Sequence, residues 1–206
     1  MNNGERKGMQ ADGLVLAGGK SRRMGGEHKG NLVYHEQTFQ EHVIRELKKE
    51  TDFVFLSYAS HVQGSYPGCQ ILMDEMPGIG PVGGVYSGLK HSSQGMIMVA
   101  ACDMPLLDIE IYRYLYQELK AEEKISTHIY DGVIPLINGK LHPLTAIYRR
   151  TALKILEEQI RVQNYRMTDA VKRMDIFYVD LTDKPLYIQM LRNINTLEDY
   201  EQLVKG

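Results

Sequence analysis

The sequence predicts an α/β fold in a single domain, with a mostly parallel sheet and helices on both of its faces. Short apolar runs typical of strands alternate along the chain with segments of helical periodicity. The run Met96–Ala101 is continuously apolar, as expected for a strand that is covered on both faces. A length of 206 residues is enough for one sizeable core and does not call for a second domain.

The first half of the chain predicts four strands and two helices. Strands are expected at residues 12–16, 53–57, 69–73 and 96–101. Thr38 and Glu41 have the spacing of a capping box, and the apolar stripe that follows predicts a helix to about Glu50. A second, short helix is expected over Gly83–His91.

The second half predicts four helices and three strands. A helix should follow Asp108, and residues 127–137 and 141–148 should form a strand pair that turns at Asn138-Gly139. Further along the chain, helices are expected near 151–160 and 167–173 and a strand near 176–180, followed by a last helix that Thr196 and Asp199 cap.

Charge and composition exclude several classes of partner. The formal net charge is −2 and the isoelectric point is near 6.4, so neither nucleic acid nor an anionic membrane is expected as a partner. The longest apolar stretch, Met96–Cys102, is too short to cross a bilayer, and we expect a soluble cytoplasmic protein. Cys69 and Cys102 both fall in strands predicted to be buried, which favours a reducing compartment.

A glycine-rich, cationic loop follows the first strand directly. Its glycines let the backbone N–H groups approach phosphate oxygens, and its cations supply countercharge, so the loop suits a triphosphate. The glycines are Gly18, Gly19, Gly25 and Gly26, and the cations are Lys20, Arg22, Arg23 and Lys29. A P-loop is excluded, because that motif needs a glycine where Leu14 lies within the strand.

A second glycine loop leaves an alternative open. Gly78–Gly83 matches the dinucleotide-binding pattern, and Asp103 follows at the end of the next strand. Residues 74–77 separate the preceding strand from Gly78, whereas that motif follows its strand at once. The pattern would also leave the cationic loop unexplained. Glycines that serve only tight turns are the other interpretation of either loop.

Two aspartates follow predicted strand ends, where ligands bind in open parallel sheets. Asp103 should lie at the edge of the sheet formed by the carboxyl ends of the strands, where it would provide the carboxylate that Mg²⁺ needs in addition to phosphate oxygens. The alternative is that Asp103 stabilises a turn or caps a helix. Asp74 could accept from a base or ribose, or cap a turn. His142 opens a strand expected to face the same edge, which makes it a candidate for the second substrate. The histidines and cysteines lack the spacing of a zinc site.

Taken in order, these motifs resemble the molybdenum cofactor guanylyltransferase (MobA-like) family of the three-layer, Rossmann-like nucleotidyltransferases. The matching segments are Leu16–Gly19, Arg23–Gly25, Lys29-Gly30, Asp74 with Pro77–Gly84, Cys102–Pro105, His142-Pro143 and Asn193–Thr196. The resemblance implies transfer of GMP from GTP to the phosphate of molybdenum-molybdopterin, with release of pyrophosphate. It also implies a nucleotide-binding half at about 1–107 and an acceptor-binding half at about 108–206.

The resemblance implies a role for individual residues. Leu16, Ala17, Gly18, Gly19, Ser57 and Asp74 would contact the nucleotide, Lys29 its phosphates, and Asp103 both the nucleotide and Mg²⁺. Arg23 would bind phosphate or stabilise the transition state. His142, Asn193 and Asn195 would lie on the acceptor side. The chain departs from the family at His28, usually an acidic or amide residue, and at Ser57, commonly asparagine.

The expected chemistry asks little of the protein beyond positioning and charge neutralisation, because the acceptor phosphate is already an ionised nucleophile. GTP and molybdopterin are the expected substrates, with transient contacts to cofactor-synthesis proteins or molybdoenzyme apoproteins. Alternatives within the class are a cytidylyltransferase and a sugar-phosphate nucleotidyltransferase. An alternative outside it is a non-catalytic carrier of GTP or pterin.

Overall fold

The computed structural model describes residues 9–17, 29–51, 53–58, 66–73 and 78–205. Ten strands lie in these ranges: β1 Asp12–Leu16, β2 Val33–Tyr34, β3 Gln37–Thr38, β4 Val54–Tyr58, β5 Cys69–Met73, β6 Met96–Ala101, β7 Gly132–Ile137, β8 Lys140–Leu141, β9 Ala146–Arg149 and β10 Ile176–Asp180. The helices are α1 Phe39–Leu47, α2 Pro81–His91, α3 Glu110–Ser126, α4 Leu153–Arg161, α5 Met167–Val171, α6 Pro185–Met190 and α7 Leu197–Lys205.

Eight strands form one mixed, mostly parallel sheet in the order β10-β7-β9-β6-β1-β4-β5, with β8 paired to the end of β7. β1 is central and parallel to both β6 and β4, and β9 is antiparallel to both of its neighbours. β2 and β3 form a separate two-stranded hairpin. This confirms the predicted α/β class and the mostly parallel sheet.

Two apolar layers cover the sheet because successive side chains of a strand point to opposite faces. Val15 lies in the layer beneath α1 and α3, whereas its neighbours Leu14 and Leu16 lie in the layer beneath α2, α4 and α5. Helices therefore pack on both faces, as predicted. No helix among the described residues has the length and apolarity to cross a bilayer.

Most predicted elements occur close to their expected positions. The capping box of Thr38 and Glu41 begins α1 as predicted, although the helix ends at Leu47 rather than near Glu50. α2 begins at Pro81, two residues earlier than expected, because proline suits the first position of a helix. Thr196 and Asp199 cap α7 reciprocally, with N···O distances of 2.9 and 3.1 Å.

The predicted strand pair 127–137 and 141–148 needs correction. α3 continues to Ser126 and ends in Thr127, whose φ is 58°, so the first strand begins only at Gly132. The turn at Asn138-Gly139 is confirmed, with φ of 48° and 76°. The second strand is divided into β8 and β9, because Pro143 has no N–H for pairing and the Thr145 N–H donates to His142 O at 3.1 Å instead.

Three further features differ from the sequence expectations. The β2–β3 hairpin was not predicted, since its turn residues His35 and Glu36 have positive φ without glycine or asparagine. α6 was not predicted either, although Pro185 at its start is a helix signal. Cys69 and Cys102 are half-buried rather than buried, because β5 is an edge strand of the described sheet and Cys102 lies just past the end of β6.

Candidate active site

The candidate site lies at the edge of the sheet where the parallel strands β6, β1 and β4 end side by side. Leu16 pairs with Ala101 on one side and with Ser57 on the other. Two further backbone bonds extend this alignment, from Ala17 N to Ser57 O at 2.9 Å and from Cys102 N to Leu16 O at 3.3 Å. The residues that follow these strands therefore emerge at one place.

α2 packs closely on the carboxyl ends of β1 and β4, because Gly84 has no side chain at this contact. A Cβ atom on Gly84 would lie 2.5 Å from Leu16 Cδ2 and 2.8 Å from Ser57 Oγ, so only glycine allows the helix to pack here. Leu16, Ala17 and Ser57 are themselves buried. In the described structure these three residues form a buried surface at the carboxyl ends of β1 and β4, which we call the floor of the candidate site.

Asp103 stands two residues beyond β6 and is half-buried. Its Oδ1 accepts a hydrogen bond from Asn193 Nδ2 at 2.6 Å, and its main-chain O accepts from Ile194 N at 2.9 Å. The Ile194 side chain is fully buried with Phe39 and Leu203. A residue from the C-terminal part of the chain thus fixes the orientation of the Asp103 carboxylate.

The turn Lys29–Asn31 lies directly beside the end of β6. A Cβ on Gly30 would be 3.5 Å from Cys102 Cβ and 3.1 Å from Gln40 Oε1. Gly30, which follows Lys29, and Cys102, which precedes Asp103, are therefore neighbours. The structure brings together the two segments that the sequence assigned to phosphates and to Mg²⁺.

His142 lies at the same edge, in the turn between β8 and β9 rather than in a strand. Its N–H donates to Pro135 O at 3.0 Å, and Thr145, at the end of the same turn, donates from Oγ1 to Met104 Sδ at 3.3 Å. Burial, aided by the charge of Lys140, lowers the pKa of His142, so the imidazole is neutral at pH 7.

Asn195 is exposed, two residues beyond the partner of Asp103. Its N–H donates to Asp199 Oδ2 at 3.1 Å, which ties it to the first turn of α7. Gly18, Gly19, Arg23 and Asp74 lie outside the described residues.

The donor set at Asp103 fits a magnesium ion that is shared with phosphate. Among the described residues, no group of three or more His, Cys, Asp or Glu side chains could hold a metal by itself. One carboxylate is sufficient for Mg²⁺ when phosphate oxygens and water supply its other ligands. Here that carboxylate is held in place by the Asn193 amide.

Sequence reasoning missed the buried polar pair formed by Gln40 and Tyr58. Gln40 Nε2 donates to Tyr58 Oη at 2.6 Å beneath the Lys29 turn. The sequence signal that could have indicated this pair is the polar residue Gln40 at a position of α1 that faces the core. The contact between Asn193 and Asp103 was likewise not predicted, although both motifs had been singled out.

A cleft of about 740 Å³ at the opposite edge of the sheet does not suit a nucleotide. It lies at the amino end of β1, beside Asp12 and Phe53, whereas ligands of open parallel sheets bind at the carboxyl ends. Two of its cations already form ion pairs with carboxylates, Lys49 with Glu46 at 2.6 Å and Arg113 with Glu50 at 2.5 Å.

The chain is similar to known proteins in sequence and in fold. A protein from Clostridium perfringens named "probable molybdenum cofactor guanylyltransferase" is 30% identical over 201 residues, which cover 93% of this chain and 94% of that protein. A protein of the same name from Carboxydothermus hydrogenoformans is 29% identical and covers 93% of both chains. The crystal structure of molybdopterin-guanine dinucleotide biosynthesis protein A from Archaeoglobus fulgidus superposes with a TM-score of 0.77 at 24% identity, covering 94% of this chain and 97% of that one.

The model of the MobA-like NTP transferase domain matches residues 13–175, from the second residue of β1 to the residue before β10. That span contains the described ends of β1, β4 and β6, the Lys29 turn and Asp103. Since the match covers most of the chain and the relatives extend over nearly all of it, this nucleotidyltransferase belongs to the MobA-like NTP transferase family.

Proposed function

We propose that the protein transfers GMP from GTP to the phosphate of molybdenum-molybdopterin and releases pyrophosphate. The observation that carries the proposal is the meeting of three segments at one sheet edge: the end of β1, the Lys29 turn and Asp103. Family membership and the names of the relatives supply the nucleotide and the acceptor.

The nucleotide would bind over the ends of β1 and β4. Leu16, Ala17 and Ser57 form the floor there, and Gly18 and Gly19, the next residues in the sequence, are proposed to contact the nucleotide. Asp74, which follows β5, is proposed as the guanine contact. Guanine presents N1–H and N2–H donors that a carboxylate accepts, whereas the ring edge of cytosine presents an N3 acceptor.

The chain's own groups would act by position and charge. Lys29 and Arg23 are proposed to stabilise the charge that develops on pyrophosphate as the acceptor phosphate attacks the α-phosphorus in line. The acceptor phosphate is already ionised, so the protein need not provide a general base. This agrees with a neutral His142 that can orient an acceptor by hydrogen bonding.

A divalent cation, proposed to be Mg²⁺, would be held by Asp103. When bound, such an ion neutralises phosphate charge and orients the triphosphate. Asn193 would keep the carboxylate aimed at that ion through the 2.6 Å hydrogen bond to Oδ1.

The acceptor would occupy the part of the edge formed by the second half of the chain. His142, Asn193 and Asn195 are the proposed acceptor residues, within an acceptor-binding half at about 108–206 that complements a nucleotide-binding half at about 1–107. Asn193 would then touch the acceptor and Asp103 together, which would link the two substrates.

A panel of nucleoside triphosphates tests the proposal. The protein is incubated with Mg²⁺, molybdopterin loaded with molybdenum, and GTP, CTP or ATP, and covalent nucleotide transfer and pyrophosphate are measured. Transfer of GMP above the other nucleotides is expected. Preference for CTP would indicate a cytidylyltransferase, and transfer only to a sugar phosphate would indicate another acceptor. Binding of GTP without pyrophosphate release would indicate a carrier.

A further inference from the structure

A buried amide lies directly beneath the turn that carries Lys29. Gln40 is the second residue of α1 and is only 2% exposed, between the fully buried Phe39 and the exposed Glu41. A primary amide in such surroundings costs free energy unless its polar atoms are hydrogen bonded. Its place is therefore set by its partners rather than by the apolar core.

Those partners connect two parts of the candidate site. Gln40 Nε2 donates to Tyr58 Oη at 2.6 Å, and Tyr58 is the last residue of β4, next to Ser57. On its other side, Gln40 packs on Gly30 so closely that a Cβ there would lie 3.1 Å from Oε1 and 3.3 Å from Gln40 Cβ. Gln40 thus bridges the nucleotide floor and the Lys29 turn.

The Tyr58 hydroxyl is itself held from a second side. Tyr66 hydrogen bonds to Tyr58, and burial together with this neighbour raises the pKa of Tyr66. Tyr58 is 3% exposed, so its ring cannot rotate away without disturbing β4. A network anchored at both ends holds its members in one arrangement.

We propose that the hydrogen bond between Gln40 and Tyr58 positions the Lys29 turn, so that Lys29 meets the nucleotide phosphates opposite Asp103. Gln40 and Tyr58 are positioning residues that act through Lys29 and need not touch the substrate. The inference rests on the proposed function for the role of Lys29. Its structural basis is the contact from Gly30 through Gln40 to Tyr58.

Two variants remove the hydrogen bond with little change in volume. Gln40→Met keeps the length of the side chain, and Tyr58→Phe deletes one hydroxyl. Each should lower the single-turnover rate of nucleotide transfer about tenfold and weaken GTP binding about threefold, because a misplaced phosphate ligand loses most of its effect. Gln159→Met is the matched control: Gln159 is also 2% exposed, but it lies in α4 on the opposite face of the sheet.

A double-mutant cycle with Lys29→Ala separates positioning from folding. In the Lys29→Ala background, Gln40→Met and Tyr58→Phe should change the rate and the GTP affinity less than twofold, because the group that they position is absent. Their effects on the melting temperature should be the same in both backgrounds. GTP affinity is measured with a fluorescent GTP analogue, so that the affinity readout of the cycle does not depend on nucleotide transfer.

The outcomes are distinct. Equal losses of rate and affinity with and without Lys29, or no loss in either variant, would overturn the positioning role while leaving the proposed function intact. If the parent protein transfers no nucleotide, the proposed function fails. In that case, a smaller effect of the two variants on GTP affinity in the Lys29→Ala background still supports the positioning role. Equal effects on GTP affinity in both backgrounds overturn it.

Discussion

At the scale of single residues, Asp103 receives restraint from a distant part of the chain. Its carboxylate is held through Asn193, and its main-chain O through the N–H of Ile194. Both bonds come from the segment that leads into α7, so the orientation of the side chain that is proposed to hold the metal depends on the packing of the last helix. The main-chain bond does not require the carboxylate, which allows function and folding to be tested separately.

Asp103→Ala should lower the rate of transfer at least about a hundredfold while leaving the protein folded. Loss of a group that stabilises charge at a transferring phosphate costs about 3 kcal/mol, or at least about a hundredfold in rate. Single-turnover transfer over a range of Mg²⁺ concentrations, with circular dichroism to check the fold, measures this. The control is Asp108→Ala, since Asp108 Oδ1 accepts from Glu110 N at 2.9 Å at the start of α3. It should lose about 1 kcal/mol of stability but keep its turnover. Near-normal turnover in a folded Asp103→Ala protein would remove Asp103 from the metal site.

At the scale of elements, α2 contacts both the core and the candidate site through two glycines one turn apart. Gly84 faces Leu16 and Ser57 at the strand ends, whereas a Cβ on Gly88 would lie 2.8 Å from Leu14 Cδ2 in the middle of β1. The same face of α2 therefore packs on the proposed nucleotide floor at Gly84 and only on the core at Gly88.

Gly84→Ala and Gly88→Ala should have similar effects on stability but different effects on binding. Each forces α2 away from the sheet and should destabilise the protein by about 1–3 kcal/mol. Only Gly84→Ala should weaken GTP binding severalfold, since only it moves Leu16 and Ser57. Urea unfolding and GTP titration below the unfolding transition measure the two effects. Equal GTP affinities in the two variants would show that the end of β1 is not part of the nucleotide floor.

The sequence predicted elements better than it predicted their ends. The capping box of Thr38 and Glu41 and the turn at Asn138-Gly139 are local signals, and both were found as expected. The beginning of the first strand of the pair was placed wrongly, because α3 runs to Ser126 and the left-handed Thr127 follows it, so the strand starts only at Gly132. The sequence also assigned Lys29 and Asp103 to one chemistry, but not Gln40, whose role depends on contacts with residues far along the chain.

At the scale of the whole molecule, strand pairing joins the two halves of the chain, and an ion pair within the second half ties α3 to β9. The order of strands places β9, from the second half, next to β6, from the first half, and sequence alone could not supply this order. α3 is tied to β9 by an ion pair in which Arg149 donates to Glu123 and also to Tyr130 O at 2.8 Å. Glu123 is nearly inaccessible, with a side chain that is 4% exposed.

This ion pair should make the protein sensitive to acid. Burial alone would raise the pKa of Glu123, but the hydrogen bonds and charges of Arg149 and Lys120 lower it from 4.5 to about 2. Because the folded pKa lies below the unfolded one, the stabilisation is fully present above about pH 4.5 and is lost as the pH falls towards 2. Glu123→Gln should therefore lose up to about 3 kcal/mol at pH 7, and its difference from the parent should shrink by about half at pH 3. Urea unfolding at the two pH values measures both quantities.

Glu158→Gln is the control, since Glu158 pairs with Arg173 at the surface, where such a pair contributes less than about 1 kcal/mol. A difference between Glu123→Gln and the parent that stays constant from pH 7 to pH 3 would mean that Glu123 acts by packing and not by charge.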